Sequence, residues 1–278
     1  MSEWSAKRPT QVFAAACDPQ KVIDLHTHVL PGIDDGPDTV AGSVAVAETA
    51  LHAGTRVLVA TPHLREDHPR VVPEELRDRA AVLQAHLRAR GMDVEILPGA
   101  ELDARKAATL SEDQLKLATL GANNRDLLLE TPYGPLDDLF DSVLLDLVVA
   151  GFRVTLAHPE RNPTFQAEPE VLGRFVEQGV LTQVTARSLS TRNRIGAVAA
   201  YFLREGWVHV LASDAHAVDK RPPSLNVGLQ RAAAAFPEAR AELAWMVTDA
   251  PRAIVDGVEL PERPARPQAR KRFRLLRR

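Results

Sequence analysis

Short runs rich in valine, isoleucine and leucine recur along the chain at residues 22–26, 56–60, 94–97, 126–130, 153–158, 181–184 and 207–212. Each has the length of a strand buried on both faces, as in a parallel sheet. Between them lie stretches in which apolar residues return every three or four positions, clearest at 40–53, 73–90 and 136–150. This spacing predicts amphipathic helices. Gly54, Gly91 and Gly151 follow the last periodic residue of each, where a helix can end in a left-handed turn. Asp38 and Ser190 are expected as N-caps. The pattern amounts to about seven strand–helix units plus two more helices over 225–257. That alternation argues for an α/β protein with a parallel sheet, closed or open. No repeat of 20–50 residues and no internal linker interrupts it. Residues 1–20 and 258–278 are proline-, arginine- and alanine-rich arms outside the pattern.

Composition narrows this. Of 278 residues 45% are hydrophobic, enough for a sizeable core, and only 5% are aromatic, so that core should be aliphatic. The single cysteine, Cys17, allows no intramolecular disulfide and fits a reducing compartment. No apolar run approaches a membrane span. The apolar stretch at 12–17 is too short for a secretion signal and follows an acidic Glu3. A cytoplasmic protein is expected. The formal net charge of −3 hides a split: residues 263–278 hold eight basic and no acidic residues, which leaves residues 1–262 at −11.

The chemistry collects where the strands end. Two histidines, His26 and His28, close the first run, and at i and i+2 on a strand they share a face. Asp34-Asp35-Gly36 follows. His63 ends the second run, Glu101 the third, Glu130 the fourth and His158 the fifth, while Asp214 and His216, again i and i+2, end the seventh. The third run does not by itself say which face is inside, since Glu101 shares parity with both Glu95 and Leu97. His52 and His86 fall in helical stretches and His209 has the opposite parity to Asp214, so these are expected as structural or surface residues. His68, in a polar loop, is near enough to His63 to line a pocket.

Five imidazoles with carboxylates and no thiolate suit manganese, iron or zinc rather than calcium or magnesium. One ion with open positions uses three or four protein ligands. Nine donors, namely His26, His28, Asp35, His63, Glu101, Glu130, His158, Asp214 and His216, therefore imply two or three divalent ions. Clustered divalent ions serve phosphoester hydrolysis, where they lower the pKa of water and neutralise the attacking and leaving oxygens. Arg161 and Arg221, close behind His158 and His216, offer guanidinium forks for phosphate. Arg65 is a weaker third candidate.

His26-Thr27-His28 followed by Leu30-Pro31-Gly32-Ile33-Asp34-Asp35-Gly36 resembles the opening motif of the polymerase-and-histidinol-phosphatase (PHP) superfamily. The longer pattern resembles its bacterial manganese-dependent protein-tyrosine phosphatase branch, found in capsule and exopolysaccharide operons. It adds Thr61-Pro62-His63, Gly99-Ala100-Glu101, Leu129-Glu130-Thr131-Pro132, Ala157-His158-Pro159-Glu160-Arg161, Ser213-Asp214-Ala215-His216 and Arg221-Pro222-Pro223. The resemblance spans residues 21–257. It implies a single-domain, distorted (β/α)7 TIM-like barrel, and does not cover the arm (1–20) or the basic tail (258–278). It further implies three metal ions: one on His26, His28, Glu101 and Asp214; a second on Glu101, Glu130 and His158; a third on Asp35, His63 and His216. Arg161 and Arg221 would bind phosphate. The implied substrate is phosphotyrosine on a protein, a bacterial tyrosine kinase of polysaccharide biosynthesis. Asp35 and Glu130 stand where histidinol-phosphatase-like relatives tend to carry histidine. Thr185-Ala186-Arg187-Ser188 departs from the branch, and Arg187 is expected to alter the pocket rim and with it the substrate preference.

Other mechanisms find no support. A cysteine phosphatase needs Cys-x5-Arg, and Ile23 stands six residues beyond Cys17. Neither G-x-x-x-x-G-K-[ST] nor G-x-S-x-G occurs. The rivals are a small-molecule phosphatase on the same site and a non-catalytic module associated with nucleic acid; the −11 body disfavours nucleic acid. The tail 263–278 suits docking to anionic lipid or an acidic partner, each basic residue being worth on the order of 1 kcal/mol near an anionic membrane.

Overall fold

The computed structural model describes residues 22–266; the arm expected over 1–20 and the tail beyond 266 lie outside the described residues. The predicted apolar runs form β1 (Ile23–Thr27), β2 (Val57–Ala60), β3 (His63–Leu64), β4 (Glu95–Pro98), β5 (Glu101–Leu102), β6 (Asp126–Glu130), β7 (Arg153–Ala157), β8 (Leu181–Thr185) and β9 (Val210–Ala212). Every pairing is parallel, in the orders β1-β2-β4 and β3-β5-β6-β7-β8-β9. The count exceeds seven because two runs are each cut in two. Pro62 has no N–H for the ladder. At Gly99 the backbone lies so close to its neighbours that a Cβ would stand 3.1 Å from Leu120 and 3.3 Å from Val59. Past each break the chain pairs again, His63 opposite Glu101. The first strand also meets the segment after the last: Thr27 and Ala215 bridge, the His28 N–H donates to the Ala215 carbonyl (2.7 Å) and the Asp214 N–H to the His26 carbonyl (2.9 Å).

Alternation along the strands divides the core. Ile23, Leu25, Val57, Val59, Leu128, Ala157, Leu181 and Val210 form one buried cluster between the strands. Leu58, Ala60, Leu127, Leu129, Val154 and Leu156, of opposite parity, pack against Leu83, Leu87, Phe140 and Phe202 of the surrounding helices. In β1 the pairing register shifts between Asp24 and Thr27. This matters, because Ile23 and Leu25 belong to the inner cluster while His26 and His28 face the site. An unbroken strand would point those two sets to opposite faces; the irregularity re-aims the histidines.

The helices follow the predicted periods, with three corrections. Thr39, not Asp38, caps helix Val40–His52, its side chain accepting from the Gly42 N–H at 3.2 Å. Asn193, not Ser190, caps Arg194–Glu205, accepting from the Gly196 N–H at 3.0 Å, while Ser190 lies in a short 3-10 turn. The C-terminal region holds three helices rather than two, Leu225–Ala235, Arg240–Trp245 and Asp249–Val255, because Pro237 opens a 3-10 turn after the first. No helix among the described residues is long and apolar enough to cross a membrane.

Residues 258–266, beyond the periodic pattern, lie along the body. Arg263 and Arg266 both pair with the buried carboxylate of Glu242. Arg263 Nη1 and both Nη groups of Arg266 donate to the carbonyls of Gly206, Arg204 and Leu203 at the end of helix Arg194–Glu205. The Leu203 carbonyl also accepts from the Gly206 N–H (3.2 Å), and a cation at the end of a helix suits its dipole.

Arg263 has a second effect. Burial, then the Arg263 charge, lowers the His209 imidazole to about 4. His209 is thus neutral in the fold, and its Nδ1 accepts from the Thr182 N–H at 3.2 Å. Unfolded it would titrate near 6.5, so it contributes stability above that pH, lost as pH falls from about 6.5 toward 4. The loss is expected to be on the order of 3 kcal/mol. Urea unfolding at pH 7.5 and 5.0 checks this: His209→Asn should lose clearly less stability on acidification than the parent protein, and equal losses would refute it.

Candidate metal centre and active site

Each strand that pairs in parallel ends at the same edge, so residues following the strands are brought together there. All nine donors named from the sequence lie at that edge, and all but Asp35 are buried. They fall into overlapping groups whose ligand atoms lie within 4.8 Å of one another: His28, Asp35, His63 and His216; His26, His28 and Asp214; His26, Glu101 and His158; His63, Glu101 and Glu130. Glu130 and His158 share no group, but each meets Glu101. His158 and Asp214 have left-handed backbones, φ 35° and 56°. Such conformations strain a non-glycine residue by about 1–3 kcal/mol and concentrate at functional sites.

Glu101 is the hub. Its Oε1 lies 2.8 Å from His158 Nε2, and its Oε2 lies 2.9 Å from His63 Nδ1, 3.3 Å from His26 Nε2 and 3.4 Å from His28 Nε2. Yet Glu101 Oε2, His63 Nδ1 and Asp214 Oδ1 are buried with no hydrogen-bond partner. Buried polar atoms left unpaired are costly. Unpaired oxygen and nitrogen atoms converging on one another are what a cation would satisfy, so the residues present fit divalent metal ions.

The electrostatics agree. Burial raises the Glu101 and Asp214 carboxyls, but the surrounding positive groups, His26 first, outweigh it and hold both well below the usual carboxylate range. Glu130 goes the other way, raised by burial and by repulsion from Glu101. A cation between those two carboxylates would remove that repulsion.

Several residues that position the donors were not singled out in the sequence. Asp34, beside Asp35, accepts from His28 Nδ1 at 2.7 Å and from the His63 and Gly36 N–H groups at 3.1 and 3.0 Å. Gln183, inside β8, has its Oε1 2.9 Å from His26 Nδ1. These contacts fix ring orientation, as partners behind a metal-binding histidine do. Buried Glu160 accepts from the Thr185 N–H (3.0 Å) and the Ser188 hydroxyl (2.8 Å), holding the turn after β8.

The arginines close the site. Arg161 Nη1 and Arg221 Nη2 reach the same oxygen, Asp214 Oδ2, at 2.7 and 2.5 Å. Arg161 also donates to the Thr185 hydroxyl (2.8 Å), and Arg221 Nη1 lies 2.8 Å from His216 Nε2. Both line a cavity of about 140 Å³ with His63, Glu130, His158 and Tyr133. Arg187 is exposed and does not line it. Arg65 instead pairs with Glu130 (3.2 Å) and Asp67 (3.0 Å). Of the other histidines, His68 stacks on His63 with ring centroids 5.4 Å apart, while His52 and His86 are exposed.

Comparison with known proteins places this geometry. The profile of the capsular polysaccharide synthesis family CpsB/CapC matches residues 22–255. The chain is 29% identical over 256 residues to tyrosine-protein phosphatase YwqE of Bacillus subtilis, covering 91% of this chain and 98% of YwqE. It is 26% identical over 211 residues to tyrosine-protein phosphatase CpsB of Streptococcus agalactiae, 73% of this chain and 86% of that one. Among solved structures it resembles, with TM-score 0.76, 28% identity and 89% of this chain and 100% of the other covered, a structure from the work on YwqE and Streptococcus pneumoniae CpsB as unique metal-dependent tyrosine phosphatases.

Proposed function

The chain belongs to the CpsB/CapC family of capsular polysaccharide synthesis, and we propose that it is a metal-dependent tyrosine-protein phosphatase working at the strand-end cluster. What carries the reading is the convergence of nine nitrogen- and oxygen-donor residues, with Glu101 Oε2, His63 Nδ1 and Asp214 Oδ1 buried and unpaired, beside two guanidinium groups locked on Asp214. The bridge between β1 and the segment after β9 supports closure of the strands into a distorted (β/α)7 barrel.

His26, His28, Glu101 and Asp214 would hold one ion, Glu101, Glu130 and His158 a second, and Asp35, His63 and His216 a third, manganese being the best fit with iron or zinc as alternatives. Such ions, when bound, supply an activated water and charge neutralisation at phosphorus. The protein does the rest. Arg161 and Arg221 present N–H donors to the equatorial phosphoryl oxygens, whose charge is the main catalytic demand of phosphoryl transfer. Asp214 holds both guanidiniums at one point, and Thr185 fixes the far side of Arg161. A tyrosine leaving group has a pKa of about 10, so it departs with little help from a general acid.

The substrate protein we infer is a bacterial tyrosine kinase of polysaccharide biosynthesis. The protein would work in the cytoplasm, with the six basic residues beyond 266, rather than all eight of 263–278, touching membrane or an acidic partner, since Arg263 and Arg266 are taken up by Glu242. EDTA treatment is expected to abolish p-nitrophenyl phosphate turnover, and Mn²⁺ to restore it and raise Tm. Undiminished turnover by protein shown by elemental analysis to hold no metal would overturn the proposal.

A further inference from the structure

The cavity that holds the two arginines does not end at the metal centre. Beside it, sharing the lining residues Glu130, Pro132 and Tyr133, lies a larger groove of about 430 Å³ lined also by Arg65, Asp67, Asp103, Arg105 and Asp137. Tyr133 stands at the junction and lines both. It is 77% exposed, far more than an aromatic ring usually is, and the Arg65 guanidinium lies 5.1 Å from its ring centroid.

This exposure is built. The loop that carries Tyr133 is pinned on both sides of it: the Asn162 side-chain amide donates to the carbonyls of Pro132 (2.8 Å) and Gly134 (3.0 Å), and the Leu136 N–H donates to the Thr164 hydroxyl (3.0 Å). Pro132 and Pro135 stiffen the loop further by fixing φ. Arg65 is itself held by Glu130 and Asp67. A ring with Arg65 over one face and the rest largely in water, on a stiff support beside the place where the phosphoryl group would sit, is poised to stack on another flat apolar group. The groove beyond it has room for chain on one side of the phosphorylated residue. Its rim is acidic, Glu66, Asp67, Asp103 and Asp137 outnumbering Arg65 and Arg105.

We propose that Tyr133 and the groove beyond it form the subsite for polypeptide flanking the phosphotyrosine. Tyr133 is the specificity-determining residue that stacks on the substrate phenyl ring, and the groove selects flanking lysine or arginine over glutamate. The proposal rests on the phosphatase reading above and names its substrate more narrowly. It explains in physical terms how a site made of cations and arginines, which would accept any phosphate monoester, is confined to aryl phosphates on a chain.

The test uses the full-length Mn²⁺-loaded protein and three substrates: two phosphotyrosyl peptides identical except for lysine or glutamate at the flanking positions, and glycerol phosphate. The ratio of kcat/KM for the lysine peptide over glycerol phosphate should fall about tenfold in Tyr133→Ala, mainly through KM, and stay within about twofold in Tyr133→Phe, as one aromatic stack predicts. The parent protein should prefer the lysine peptide several-fold at low salt. That preference should shrink at 0.5 M NaCl, where exposed charges are screened, and in Glu66→Lys. An unchanged ratio in Tyr133→Ala, or equal rates on the two peptides at low salt, overturns the subsite while leaving the phosphatase reading intact. If the parent protein does not turn over either phosphotyrosyl peptide, both fall together.

Discussion

Glu101→Gln is expected to lower kcat/KM on a phosphotyrosyl peptide by at least about 10³-fold, roughly 4 kcal/mol of transition-state stabilisation. The side chain is fully buried and meets His26, His28, His63 and His158 within 3.4 Å. Glutamine keeps the size but replaces one oxygen with an amide that can only donate, and it removes a charge that several positive groups depend on. Glu101 is common to two of the overlapping donor groups, so the defect should reach every ion that touches it. Metal content by elemental analysis should therefore drop below that of the parent protein. The rise in Tm on adding Mn²⁺ should shrink with it, since a ligand stabilises only as far as it binds the folded state. A variant with parental metal content and activity within tenfold would refute the role assigned to Glu101.

The second large effect is expected at Arg161. Arg161→Ala should reduce kcat by about 10²–10³-fold, the usual cost of losing one preorganised donor to a developing charge. Metal content should change little, because no donor atom is removed. Arg161→Lys should recover only a small part. An ammonium could reach Asp214 or the Thr185 hydroxyl, but not both with the planar fork that guanidinium offers to phosphate oxygens. Steady-state kcat and KM on p-nitrophenyl phosphate separate these outcomes, and a kcat within threefold of the parent for Arg161→Ala would remove Arg161 from the mechanism. The same substitution at Arg221 tests the partner guanidinium on Asp214 Oδ2.

The apolar runs gave away the strands because a parallel sheet is buried on both faces, so its strands cannot be mistaken for amphipathic ones. The donors were legible for a related reason: a strand that must end at a wet edge changes abruptly from valine and leucine to histidine or carboxylate. Parity placed His26 and His28 on one face of a strand. What parity could not foresee is that β1 shifts register between Asp24 and Thr27, so that Leu25 and His26 both serve the interior. The breaks at Pro62 and Gly99 were likewise invisible as breaks, since proline and glycine at a strand end read as ordinary punctuation. Gln183 could have been found, as a polar residue in a buried run with the parity of Leu181 and Thr185. Asp34 could not, because nothing in Asp34-Asp35 says which carboxylate turns toward His28. The caps at Thr39 and Asn193 were missed by one and three residues, the local uncertainty of helix ends.

Arg263 and Arg266 also set where the chain can be divided. Counted as tail, they make eight basic residues; by their contacts with Glu242 and the carbonyls of Leu203, Arg204 and Gly206 they belong to the folded unit. A truncation after Glu262 removes two stabilising side chains together with the surface charge, and leaves the Glu242 carboxylate buried without a partner. A cut after Arg266 removes six basic residues and none of these contacts. Only the second boundary separates what the tail does outside the protein from what its first two arginines do within it.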